Sequence, residues 1–213
     1  MFRSPRPPSS RITQPARVGP PVPVIRHVVP RSWTDSSSED TRQKKRRKQG
    51  RYPMLEAGQK APSLKLATDV GSTVDLAALA GHPTIVYFYP KDDTSGCTAQ
   101  AKAFSDHRQA FNAIEVSIIG ISPDSVASHK KFRAKHDLTV QLAADEDKAA
   151  ATAWGVWVEK SMYGRKYMGV ERTTMLIDAK GQVAKVWPKV KVPGHAGEVL
   201  AAVRTLKGSK TKG

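Results

Sequence analysis

Cysteine is almost missing from this chain: a single thiol, Cys97, stands in 213 residues. One cysteine closes no internal disulfide, which excludes a stapled secreted scaffold, and it makes a zinc centre improbable. Long apolar runs are missing as well. No stretch approaches the ~18 residues that a membrane-spanning helix needs, and no signal-peptide core is present. There is no phosphate-cradling loop, no glycine-rich dinucleotide fingerprint and no serine–histidine triad pattern. The histidines at 27, 82, 107, 129, 136 and 195 are scattered without metal-ligand spacing, so neither metal nor cofactor is expected. The chain reads as soluble and cytoplasmic, with a nuclear or organellar placement only if its N-terminal extension is genuine.

Acidic residues are scarce too: 19 Asp and Glu against 35 Lys and Arg, a net charge of +16. The excess is uneven, since residues 1–50 hold 12 basic and 3 acidic side chains. Proline, serine and arginine crowd that segment, which ends in Lys44-Lys45-Arg46-Arg47-Lys48. Such a composition buries too little apolar surface to offset chain entropy, so residues 1–53 are expected to be a disordered extension and 54–213 a folded domain. The extension has three readings: a nuclear-import or nucleic-acid patch, an organellar transit peptide, or an over-extended start before Met54. The acidic cluster Asp35–Asp40 fits a transit peptide poorly, and the over-extended start is favoured.

The most informative stretch runs from Thr84 to Cys97. Ile85 to Tyr89 is an unbroken apolar run, as expected of a strand covered on both faces. A polar turn, Pro90-Lys91-Asp92-Asp93-Thr94-Ser95-Gly96, follows. From Cys97 the apolar residues Ala101, Phe104 and Phe111 take up helical spacing. A thiol in the first turn of a helix faces unpaired N–H groups and the positive end of the dipole, and both favour thiolate. A lone cysteine is more often a small core hydrophobe. Its polar neighbours here point instead to a reactive group.

The remaining elements alternate. Short strands at Leu64–Leu66 and Thr73–Val74 lead to a helix with Leu76 and Leu79, and Val116–Ile121 is a second buried strand. Ser122-Pro123-Asp124 predicts a helix start with Ser122 as N-cap, running to about His136. A strand at Val140–Ala143 and a short helix opened by Asp145-Glu146-Asp147 follow; the acidic run reads as a helix N-terminus rather than a cation site. Thr173–Ile177 and Gln182–Trp187 flank the hairpin turn Asp178–Gly181, and a helix from about His195 to Leu206 closes the chain. A βαβαβ half demands parallel strands, to which the hairpin adds antiparallel ones. The expected fold class is α/β, a thioredoxin-like central mixed sheet with helices on both faces.

Tyr87-Phe88-Tyr89-Pro90-Lys91-Asp92-Asp93-Thr94-Ser95-Gly96-Cys97-Thr98 closely resembles the peroxidatic loop of peroxiredoxins, in particular the bacterioferritin-comigratory (Q-type) subfamily. Trp154–Gly164 and Gly169–Asp178 are similar to the same subfamily, and the match spans roughly residues 54–206. The resemblance implies a thiol-specific peroxidase acting on hydrogen peroxide and alkyl hydroperoxides through a cysteine sulfenic acid. It implies that Cys97 is the peroxidatic nucleophile, that Thr94 bonds the thiolate and peroxide oxygen, and that Pro90 shields the thiolate from water. Arg172 would hold positive charge near the sulfur. On its residues alone, Arg172 reads as a surface arginine paired with Glu171 or a neighbour.

The chain departs from the subfamily at both positions where relatives carry a resolving cysteine. Lys102 stands five residues after Cys97, and the other position falls at about Ala151. A one-cysteine cycle is therefore expected, with thioredoxin, a glutaredoxin or glutathione as the external reductant and the protein a monomer or weak homodimer. The alternative is a nucleic-acid-associated protein whose basic tail binds and whose thioredoxin-like domain is inert.

Overall fold

The computed structural model describes residues 52–76 and 81–210. The extension up to Arg51 and the second half of the helix expected around Leu79 lie outside the described residues. The elements, in order, are β1 Lys65–Ala67, β2 Thr73–Asp75, β3 Thr84–Phe88, α1 Ser95–Asp106, α2 Arg108–Asn112, β4 Ser117–Ser122 and α3 Val126–His136. There follow β5 Gln141–Ala144, α4 Ala149–Ala153, β6 Trp157–Met162, β7 Arg165–Val170, β8 Thr173–Ile177, β9 Val183–Trp187 and α5 His195–Lys210.

The central sheet has the strand order β5-β4-β3-β8-β9. β3 pairs parallel with β4, and β4 with β5, while β8 runs antiparallel to both β3 and β9. This is the mixed sheet expected from the βαβαβ half and the closing hairpin. Side chains of β3 alternate between two cores. Ile85, Tyr87 and Tyr89 face a cluster built with Phe104, Phe111, Phe132 and Val199, which come from α1, α2, α3 and α5. Val86 and Phe88 face the opposite cluster, with Ala150, Ala151, Trp154 and Leu66. Trp154 is fully buried against Phe88, ring centroids 5.4 Å apart, so it is a packing residue.

Three local outcomes differ from the sequence reading. The helix expected from Cys97 through Phe111 is two helices, interrupted at His107. The N-cap of α3 is Ser125, whose hydroxyl accepts from Ser128 N, and not Ser122. Ser122 ends β4, and its hydroxyl donates to the Asp124 carboxylate at 2.7 Å and accepts from Asp124 N at 3.2 Å, in a turn that precedes the helix. The hairpin β6–β7 had no place in the sequence reading; Tyr163 and Gly164 turn it, both at positive φ.

Gly155 shows why one glycine is indispensable to this core. It sits at φ +70, and a Cβ there would lie 2.2 Å from the Pro53 carbonyl oxygen and 2.4 Å from Met54 Cα. The Pro53–Met54 backbone thus crosses directly over it, and Leu55 N donates to Trp154 O. Gly155→Ala is expected to lower unfolding stability by about 2–3 kcal/mol, from left-handed strain plus overlap. Gly164→Ala, at φ +75 in open space, should lose only about 1 kcal/mol. Urea unfolding of both variants checks this; equal losses would show that the overlap contributes nothing.

Candidate active site

The site forms where β3 ends. Tyr89 N still pairs with Ile121 O, then Pro90 bends the chain out into an exposed turn. Thr94 is the N-cap of α1, in extended conformation at φ −92 and ψ 149, and its carbonyl accepts from Thr98 N at 2.8 Å. Cys97 is the third helical residue, in the first turn as read. Its polar sequence neighbours do not leave it exposed: Cys97 keeps 1% of its surface and packs in the cluster of Tyr87, Tyr89, Ala101 and Phe104.

Arg172 reaches this sulfur from the other half of the chain. Thr173 opens β8 and pairs with Phe88, the last residue of β3, so the residue before it arrives beside the loop. Arg172 Nη2 donates to Cys97 Sγ at 3.2 Å, and Nη1 donates to Gln100 Oε1 at 2.5 Å. Glu171 is not the guanidinium's hydrogen-bond partner in this arrangement. An added Cβ at Gly96 would lie 3.4 Å from Nη2, so the glycine lets the guanidinium come in close. Gln100 was not singled out in the sequence. It is 1% exposed, one turn beyond Cys97, and its Nε2 has no hydrogen-bond partner among the described residues. An unpaired buried donor on the side chain that holds the guanidinium is a group that a bound oxygen atom would satisfy.

Of the four expected site residues, Cys97 and Arg172 are in direct contact. Thr94 and Pro90 lie on the exposed turn that leads to the sulfur, and the Thr94 hydroxyl donates to Lys91 O at 3.2 Å. Tyr87 lies below the site with its phenol pushed upward in pKa by burial first, then by the charges of Asp92 and Cys97. It stays neutral at any working pH.

A buried polar cluster ties the turn to α3, and no local signal in the sequence marked it. Asp92 accepts from Tyr89 Oη at 2.8 Å, from Ser128 Oγ at 2.8 Å and from His129 Nδ1 at 2.9 Å. Its own N–H donates to Asp124 Oδ2 at 2.8 Å. Asp93 pairs with Lys135 at 2.5 Å and His136 at 2.7 Å on the surface. Burial is the strongest influence on Asp92 and pushes its pKa up. Hydrogen bonding and charge from His129, then bonds from Tyr89 and Ser128, outweigh it and hold the carboxyl below its ordinary 3.8.

A depressed folded-state pKa means that the ionised Asp92 stabilises the fold above pH 3.8, and that this is lost as pH falls through the lower folded value. Asp92→Asn is therefore expected to lose about 1–3 kcal/mol at neutral pH and to converge on the parent protein below pH 3.8. Denaturant unfolding at several pH values measures it. A gap that persists undiminished in acid would show that the charge is not what matters.

Among the described residues, no group of histidine, cysteine and carboxylate side chains could hold a metal ion, and no helix is long and apolar enough to cross a membrane. The geometry offers one buried free sulfur, one guanidinium on it, and a helix N-terminus beneath it.

Comparison with known proteins agrees with this chemistry. The AhpC/TSA family matches residues 57–186. A putative peroxiredoxin of Coxiella burnetii is 47% identical over 68% of this chain and 97% of its own length. The peroxiredoxin Bcp of Bacillus subtilis is 46% identical over 71% and 97%. Among solved structures, the bacterioferritin comigratory protein of Xanthomonas campestris, studied for its alkyl peroxide reduction, superposes with a TM-score of 0.67 at 41% identity. It covers 70% of this chain and 98% of its own. A peroxiredoxin Q of Xylella fastidiosa gives a TM-score of 0.69 at 32% identity over 73% and 99%.

Proposed function

Because this chain belongs to the AhpC/TSA family and is a thiol-dependent peroxidase of the Q-type peroxiredoxins, we propose that Cys97 is its peroxidatic nucleophile. Arg172, Thr94 and Pro90 complete the site. The observation that carries this is the 3.2 Å contact of the Arg172 guanidinium with the buried Cys97 sulfur.

The thiolate attacks one oxygen of the peroxide, so an S–O bond forms as the O–O bond breaks. Sulfur is oxidised by two electrons to sulfenic acid, and the leaving oxygen departs as hydroxide or alkoxide and takes up a proton. Arg172 stands where negative charge passes from sulfur to that oxygen; the Thr94 hydroxyl, at the N-cap three residues before Cys97, and the unpartnered Gln100 Nε2, one turn after it, would be further donors. Pro90 shields the turn side. With Lys102 and Ala151 in the places of a resolving cysteine, the sulfenic acid condenses with an external thiol, releasing water, and a second thiol frees Cys97 from the mixed disulfide. Thioredoxin, a glutaredoxin or glutathione supplies those electrons. The cytoplasm, where such thiols are abundant, is the fitting compartment, and a monomer or weak homodimer suffices because no second copy is needed for the cycle.

The test is stopped-flow consumption of hydrogen peroxide and an alkyl hydroperoxide by the reduced full chain, with the sulfenic acid trapped and located by mass spectrometry. Reaction orders of magnitude faster than a free thiol, with the label on Cys97 and mostly monomer on a non-reducing gel, is the expected result. A free-thiol rate would sink the assignment and bring the nucleic-acid reading of the basic tail forward. A gel of mostly disulfide-linked dimer would overturn the external-thiol step alone.

A further inference from the structure

A second cation holds the segment that leads to Arg172: Lys160, in the middle of β6. Side chains of the β6–β7 hairpin alternate between two faces. Lys160 shares its face with Val158 and, across the register, with Tyr167 and Gly169. Glu159 and Ser161 on either side are exposed, whereas Lys160 is half-buried. Its stem runs beside Gly169, where an added Cβ would lie 3.5 Å from Lys160 Cδ. Its ammonium donates to the Val170 carbonyl at 2.6 Å.

Val170 ends β7, two residues before Arg172. The next backbone groups are pinned in turn: Glu171 N donates to Val156 O, and Val190 N donates to Arg172 O, both at 2.8 Å. The segment that carries the guanidinium is therefore held by two backbone bonds and by one lysine side chain. A half-buried ammonium is a costly clamp for a neutral carbonyl, since it gives up hydration that an amide or hydroxyl would not lose. Its charge has a use only if something anionic lies near. Burial pulls the Lys160 pKa below the ordinary lysine value, and the charges of Glu171, then Arg172 and Cys97, act on it more weakly.

We propose that Lys160 is a positioning residue of the peroxidatic site: through its ammonium it fixes the backbone that presents Arg172 to Cys97, and it does so only while charged. This rests on Cys97 as the nucleophile. Two variants of the full chain test it, Lys160→Met, which keeps the stem and loses donor and charge, and Lys160→Arg, which keeps both. Peroxide consumption by Lys160→Met is expected to slow about tenfold, with Lys160→Arg restoring most of the rate. The alkaline side of the pH profile separates positioning by charge from mere packing. In the parent protein the rate should decline as Lys160 loses its proton, at a pH below the ordinary 10.5 of lysine. In Lys160→Arg the plateau should continue upward, because a guanidinium stays charged.

The proposal is overturned if Lys160→Met matches the parent rate and profile while sulfenic acid still forms on Cys97. It is equally overturned if Met and Arg variants are slowed alike with unshifted profiles, which a packing role would produce. A parent protein that forms no sulfenic acid on Cys97 removes the underlying assignment, and the proposal with it.

Discussion

Cys97→Ser is expected to reduce peroxide consumption to the buffer background, a loss of at least about 10³-fold. The serine hydroxyl is almost the size of the thiol, yet it is scarcely ionised near neutrality and oxygen has no counterpart to sulfenic acid. No other residue can substitute, because the chain holds no second cysteine. The fold should survive. Cys97 is buried against apolar neighbours, but the Arg172 guanidinium on its sulfur gives a serine oxygen a ready donor. Thermal unfolding within about 1 kcal/mol of the parent is therefore expected, so that lost activity reports chemistry and not unfolding. Residual turnover of a few per cent would mean that peroxide is being reduced elsewhere.

Arg172→Ala is expected to cost about 10²–10³-fold in the rate constant with peroxide, comparable to removing an oxyanion donor. Thiolate content alone cannot account for such a loss. A thiol of pKa ~8.5 is about 3% ionised at pH 7, and one of ~6 about 90%, a gain near 30-fold. Nucleophilicity falls with basicity, and a slope of ~0.45 takes back about 13-fold, leaving roughly two-fold. What remains must come from charge stabilisation in the transition state, where the O–O bond is breaking and the leaving oxygen becomes anionic. Alkylation by iodoacetamide reads thiolate without reading peroxide chemistry. Arg172→Ala should slow alkylation by only a few-fold while peroxide reduction collapses. Equal losses in both reactions would refute the role. The variant also strands Gln100 Oε1, buried and without its partner, so a stability loss of about 1–2 kcal/mol should accompany it.

Most of the central sheet was legible because its strands are covered on both faces. Every residue of β3 and β8 is buried, and such strands appear as short runs of apolar and β-branched residues, as in Ile85–Phe88 and Thr173–Ile177. The β6–β7 hairpin was not legible for the converse reason. Residues 161–168 are all exposed, so no buried apolar run marks the outer half of the hairpin, and Gly164 was the only turn residue at its tip. Cys97 could be found from its place after a strand and a polar turn. Arg172 could not be found from local pattern, since its contact with Cys97 spans 75 residues and exists only through the pairing of β3 with β8. The family resemblance supplied it. Gln100 looks in sequence like a solvent-facing polar residue of a helix, and Asp92 like one more turn acid. Both acquire their surroundings from segments far along the chain, which no local periodicity encodes.

The clasp between the turn and α3 has a further consequence. An exposed polar turn ordinarily exchanges its amide hydrogens through small local fluctuations. Here the Asp92 N–H is bound to Asp124, and the Asp92 carboxylate holds Ser128 and His129 within α3 itself. The turn cannot open without releasing the helix, so its amide protection should rise toward that of α3. The turn that leads to Cys97 inherits the lifetime of a helix.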